Sequence, residues 1–171
     1  MGDSMNNNPF TAEEIAALRQ LLEVEAVRKV RQNYSTYLDT LQIDDLADLY
    51  TDNALCEFGP YGEWRGRETI RENYRGVMSG DGAALFNSMH HNTNHCVELV
   101  SATRATGRSY LIDVVTTAEK TAQPVLWYGI YDEEYEKVGD KWLIDRCSLQ
   151  FLWPERHLSA GFANSFSHAT A

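Results

Sequence analysis

PVLWYGIYDEEYEKVGDKWLIDRCSLQFL, residues 124–152, decides the fold. Two runs rich in Val, Ile, Tyr and Trp, 124–137 and 141–152, flank Val138-Gly139-Asp140-Lys141, which reads as a hairpin turn. β-branched and aromatic side chains suit a pleated, half-buried surface, so the stretch predicts two long antiparallel strands. Working backwards, 107–118 and 86–100 have the same character, and the half of the chain after Gly80 reads as a meander.

Before Gly80 the period changes. Thr11 followed by Glu14 forms a capping box. Ile15, Leu18, Leu22, Val27, Val30, Tyr34 and Tyr37 then recur near the helical period, predicting a long or broken amphipathic helix that ends near Leu41. IDDLADLYT, 43–51, fits a short second helix, and GRETIRENYRGVM, 66–78, a third with Ile70, Tyr74 and Val77 inward, two short strand-like pieces lying between them. Helices first and strands after is the α+β signature, with helices packed on one face of a curved antiparallel sheet around an apolar cavity. The expected organisation is a flexible leader over 1–10, one domain over 11–153 and a tail over 154–171.

Composition narrows the function. With 15 Lys and Arg against 25 Asp and Glu, the net charge of -10 repels a phosphate backbone, and the basic residues do not cluster, so no nucleic-acid partner is expected. No apolar run approaches the roughly 20 residues that span a bilayer, and the polar start lacks the pattern of a signal peptide, so no membrane partner and a cytoplasmic location are expected. Cys56, Cys96 and Cys147 are odd in number, widely spaced and set in apolar segments, which reads as buried free thiols.

Three groups of residues can carry chemistry. In NYSTYLDTLQIDD, Tyr34 and Tyr37 share a helix face and Asp39 can swing toward Tyr34 where the helix ends; the alternative is two core tyrosines and a helix-terminal carboxylate. In SMHHNTNHCVEL, residues 88–99, strand alternation sends His90 and His91 to opposite faces, with His95 on the face of His91, so no metal site is expected. Asn92 and Asn94 share the face of His90 and can orient it; the alternative is a hydrogen-bonded core histidine. Asp113, flanked by Leu111, Ile112, Val114 and Val115, must be buried or face a cavity, where an imidazole or an Arg such as Arg104, Arg108 or Arg146 would meet it. Arg146 alternates with Trp142, Ile144 and Ser148, and can pair with a carboxylate or bind a substrate anion. No GxGxxG, GxxxxGK[ST] or GxSxG motif occurs, so no cofactor is expected.

Tyr34-x4-Asp39, TDNALCEF, GEWRGRETI, His90-x3-Asn94 and WLIDRCSL together resemble the SnoaL-like branch of the nuclear transport factor two superfamily, over about residues 15 to 153. The resemblance implies a cone-shaped half-barrel of curved antiparallel sheet packed with three N-terminal helices, of cystatin-like type. That branch includes scytalone dehydratase, bile acid dehydratases, polyketide cyclases and a hexachlorocyclohexane dehydrochlorinase. Tyr34, Asp39, His90 and Asp113 resemble the polar positions of the bile acid dehydratases. In the dehydrochlorinase the position resembling Tyr34 is a Lys, so Tyr here favours dehydration or isomerisation.

The expected function is therefore a cofactor-independent dehydratase acting on a hydrophobic, cyclic, steroid-like or polyketide-like molecule. Neutral His90 removes a proton beside a carbonyl, Asp113 or Asp39 orients its ring, and Tyr34 or Tyr37 donates to the developing oxyanion or leaving hydroxyl. Tyr37, Asn94, Arg146 and Trp127 are the expected substrate contacts, with the Asp113 carboxylate meeting His90 at hydrogen-bond distance. The alternatives are an isomerase or cyclase in the same pocket, or a noncatalytic binding or subunit protein. The aromatic and β-branched outer sheet face predicts self-association, as a homodimer or homotrimer.

Overall fold

The computed structural model describes residues 9–78, 87–116, 123–160 and 162. Residues 1–8 of the expected leader, the strand ends predicted at 86, 117 and 118, and tail residues 161 and 163–171 lie outside the described residues.

The elements in chain order are α1 (Ala12–Asp39), α2 (Ile43–Ala47), β1 (Tyr50–Glu57), β2 (Glu63–Arg65), α3 (Arg67–Met78), β3 (Asn87–Leu99), β4 (Arg104–Thr116), β5 (Val125–Val138) and β6 (Lys141–Trp153). The capping box starts α1: the Glu14 N–H donates to Thr11 Oγ1 at 3.1 Å and the Thr11 N–H to the Glu14 carboxylate at 2.7 Å. Burial begins only at Val27 and continues through Val30, Tyr34 and Leu38. The expected apolar stripe is therefore half right, since Leu18 and Leu22 are 43% and 69% exposed. Glu23 accepts from Lys137 Nζ and Trp142 Nε1, at the turn end of the β5–β6 hairpin, and the helix before it runs past the sheet.

α2 is shorter than the expected 43–51, because the sheet takes its last residues. Leu49 gives its carbonyl to the Ile144 N–H at 2.8 Å, and Tyr50 pairs with Ile144 as β1 opens. The strand order is β2-β1-β6-β5-β4-β3. β3 to β6 form the predicted antiparallel meander, closed at Gly139 with φ 61, whereas β1 runs parallel to β6, so the sheet as a whole is mixed. The fold class is α+β, with the helices packed on one face of the sheet.

A bulge in β3 sets the positions of the histidines. The register shifts between Thr93 and Cys96, and Asn94 takes a left-handed φ of 52. One extra residue reverses the alternation of faces beyond it. His90 and Asn92 face the helices before the bulge; after it Val97 and Leu99 do, packed against the core. His95 follows that second phase and lies against Gly107, where a Cβ would stand 2.9 Å from His95 Nε2 and 2.8 Å from the Tyr135 ring.

On the opposite sheet face, residues after Trp153 fold back. Phe151 and His157 exchange two backbone hydrogen bonds of 2.9 Å, and the Ser159 N–H donates to Gln150 Oε1 at 2.7 Å. Gln150 is thereby buried with its acceptor satisfied.

Candidate active site

Between the helices and the sheet lies a cavity of about 330 Å³. Its walls are mainly apolar and aromatic: Leu38 and Met78 on the helices, Phe58 just after β1, Trp64 on β2, and Leu111, Trp127, Leu149 and Phe151 on β4 to β6. That size and lining suit a small organic ligand. The polar side chains on it are Tyr34, Tyr61 and Tyr74 with His90 and Asp113.

His90 is held by the last residue of α1. Asp39 Oδ2 accepts the His90 backbone N–H at 2.9 Å, and Asp39 Oδ1 lies 2.6 Å from Nδ1. An ionised carboxylate only accepts, so the network assigns the ring proton to Nδ1 and the lone pair to Nε2. The His90 side chain is 6% exposed and that of Asp39 21%. Nε2 is turned to Asp113, whose nearest oxygen is 3.9 Å away. The register pairs His90 directly with Asp113 across β3 and β4, which puts both on one face.

This corrects the expected contact. Asp113 is too far from the ring to hydrogen-bond it, and Asp39, not Asp113, orients the imidazole. Asp113 instead accepts from the Ser88 hydroxyl, whose oxygen also lies 3.1 Å from His90 Nδ1.

Tyr34 projects from α1 toward α3, where its hydroxyl meets that of Tyr74 at 2.6 Å. Burial, and after it the neighbouring phenol and thiol groups, Tyr74 and Cys147 for Tyr34 and Cys56 and Cys147 for Tyr74, hold both hydroxyls well above the ordinary tyrosine value, so both remain protonated donors at neutral pH. Behind the Tyr34 ring the Arg31 guanidinium is stacked between Tyr34 and Tyr131, 3.9 Å from each centroid. Arg31 Nε donates to Glu133 at 3.0 Å and a second contact joins Nη2 to the other oxygen, while Tyr135 donates to the same carboxylate at 2.6 Å. Burial disfavours the Arg31 charge, but Glu133 together with Cys147, Tyr131 and Tyr135 outweighs it and holds the guanidinium protonated. This buried pair backs the cavity and fixes the ring of Tyr34.

Tyr34, His90, Asp113 and Trp127 line the cavity, with Asp39 behind His90. The other expected contacts do not. Tyr37 faces a separate hollow with Asp45 and Trp142, because it lies off the Tyr34–Leu38 face. Asn94 is turned to the opposite sheet face by the bulge, beside Cys96, Arg108 and Asp132. Arg146, also on that face, binds Glu57 at 2.6 Å and approaches Asp132 at 3.6 Å. Asn92 bonds Ser35 rather than His90, His95 faces the core rather than sharing the face of His91, and Cys96 is exposed.

Sequence reasoning missed Ser88, Arg31 and Glu133 as partners, although each was one period from a named residue. Ser88 precedes His90 by two on a strand, Arg31 precedes Tyr34 by three on a helix, and Glu133 alternates with Tyr131 and Tyr135. Among the described residues no cluster of three or more His, Cys, Asp or Glu is arranged to hold a metal ion.

The profile of the SnoaL-like domain family matches residues 19–148. A search of curated proteins gave no match. Among solved structures, a protein of Novosphingobium aromaticivorans provisionally described as a scytalone dehydratase is 25% identical, with a TM-score of 0.70 over 82% of this chain and 92% of that one. A second protein of that organism, provisionally described as an aromatic ring hydroxylase, is 25% identical, with a TM-score of 0.67 over 78% and 92%. The hexachlorocyclohexane dehydrochlorinase LinA-type3 of Novosphingobium barchaimii is 20% identical, with a TM-score of 0.67 over 84% and 99%, and shares the fold.

Proposed function

The chain belongs to the SnoaL-like domain family, and on that premise we propose that it is a cofactor-independent lyase that removes water from a cyclic, steroid-like or polyketide-like molecule. The observation that carries this reading is the Asp39–His90 pair, which leaves a base lone pair at Nε2 on an aromatic cavity.

In the proposed reaction Nε2 takes the proton from a carbon beside a carbonyl, and that C–H electron pair moves onto the carbonyl oxygen as an enolate. Tyr34, still protonated, donates to that oxygen. The enolate then collapses to form the carbon–carbon double bond and breaks the bond to the hydroxyl on the next carbon. The imidazolium returns its proton to that hydroxyl, which leaves as water and restores neutral His90. Asp39 and Asp113 face the positive charge while it exists on the ring. The scytalone dehydratase description of one similar structure supports a dehydration of this kind.

Asp113 favours a second reading, isomerisation, since a carboxylate beside Nε2 helps keep the abstracted proton in place until it returns to another carbon of the ring. The test is absorbance at the wavelength of the conjugated enone, with a panel of cyclic β-hydroxy ketones and matched unconjugated enones. His90-dependent release of water supports the lyase; conjugation without loss of oxygen supports the isomerase. If wild type and His90→Ala convert none of the panel differently, both readings fall.

A further inference from the structure

The polar groups of the cavity stand on two walls. The sheet side carries His90 and Asp113, and the helical side carries the Tyr34–Tyr74 hydroxyl pair. Among the described lining residues none is Lys or Arg. Arg31 is near but stands behind the Tyr34 ring, committed to Glu133.

We propose that Tyr74 completes, with Tyr34, a subsite for an uncharged carbonyl oxygen, so that the cavity takes neutral ring ketones and rejects their carboxylate counterparts. Two hydroxyls hold two protons. One is spent between the oxygens, at 2.6 Å; Tyr131 also hydrogen-bonds the Tyr34 hydroxyl, so three hydroxyls share two contacts and one proton remains to donate to a ligand. A hydroxyl that accepts one hydrogen bond is polarised into a stronger donor, so the pair outperforms a lone phenol. Tyr74 is held edge-on by Trp64, with ring centroids 5.1 Å apart, which keeps its hydroxyl in place without a charged neighbour. An anionic ligand in the same space would lose its water, gain no cation and face Asp113.

The inference rests on the proposed lyase for what the bound oxygen undergoes, and on the cavity alone for whether it binds. The experiment titrates the full chain calorimetrically with three probes of one shape, tetralin, alpha-tetralone and tetralin carboxylate. The proteins are wild type, Tyr34→Phe, Tyr74→Phe and the double variant, each checked for native circular dichroism. The ketone is expected to bind wild type about fivefold more tightly than the hydrocarbon, the scale of one net hydrogen bond. The carboxylate is expected to bind at least about tenfold more weakly than the ketone.

Each single variant should reduce the preference for ketone over tetralin while leaving tetralin affinity in place, and the double variant should abolish it. A loss of packing alone would weaken both probes equally. Full preference in Tyr74→Phe, a carboxylate that binds as well as the ketone, or no binding by any probe at millimolar concentration overturns the proposal. A Tyr74-dependent preference with no His90-dependent elimination from the hydroxy ketone panel removes the lyase and leaves the subsite standing.

Discussion

The carboxylate of Asp39, at the end of α1, holds both the backbone N–H and Nδ1 of His90 on β3, at 2.9 and 2.6 Å. Two bonds from one carboxylate fix ring and strand together. On the proposed reaction His90→Ala and Asp39→Asn should each lower turnover by at least about a hundredfold. The asparagine amide offers a donor to Nδ1 and reverses the tautomer. Because the two act as a unit, the double variant should be no worse than His90→Ala, and steady-state kinetics on the hydroxy ketone panel would show it. Additive losses would mean that Asp39 acts independently of the ring.

Arg31 and Glu133 are 1% and 2% exposed, and removing one leaves the other charge unpaired in the core. Arg31→Met should therefore cost about 3–5 kcal/mol in denaturant unfolding, whereas Arg31→Met with Glu133→Leu should recover most of it. Failure to recover would show that the Tyr34 and Tyr131 rings need the guanidinium between them.

Burial pushes the imidazole of His95 below its ordinary value of 6.5, among Glu133, Arg31, Arg28 and Glu25. As pH falls through that value the unfolded chain takes up a proton before the folded chain does, so stability falls with pH and levels off below the folded value. His95→Gln should lose less stability than wild type between about pH 7 and pH 5, by urea midpoints at each pH. Equal losses would place the sensitivity elsewhere.

On the sheet face away from the helices Met89, Tyr110, Ile112 and Tyr128 are 57%, 44%, 39% and 40% exposed. The register sets Ile112 beside Tyr128, which makes the patch continuous across β4 and β5. We propose that this face joins copies of the chain as a dimer or trimer. Light scattering at micromolar concentration should give a multiple of the 19.4 kDa chain mass, and Ile112→Glu should reduce it. A wild-type monomer would refute it.

Local chemistry alone determined much of this protein. The capping box at Thr11, the turn at Gly139 and the period-two strands are short-range patterns, and they sufficed for three helices followed by a meander. Asp113 was legible because a carboxylate in a Leu-Ile-Asp-Val-Val run has to be met by a partner.

The tertiary structure decided which partner meets which group. Asp39 and His90 are 51 residues apart, and only the packing of α1 on β3 makes Asp39 the ring's partner in place of Asp113. The bulge at Asn94 reversed the faces of Asn94 and His95, an event that strand alternation cannot foresee because one extra residue changes the phase of all that follow. α2 lost its last turn to pairing with β6, a contact from the far end of the chain. Sequence fixes periodicity within an element; the phase between elements is set by long-range packing and hydrogen bonding, and the site is built from that phase.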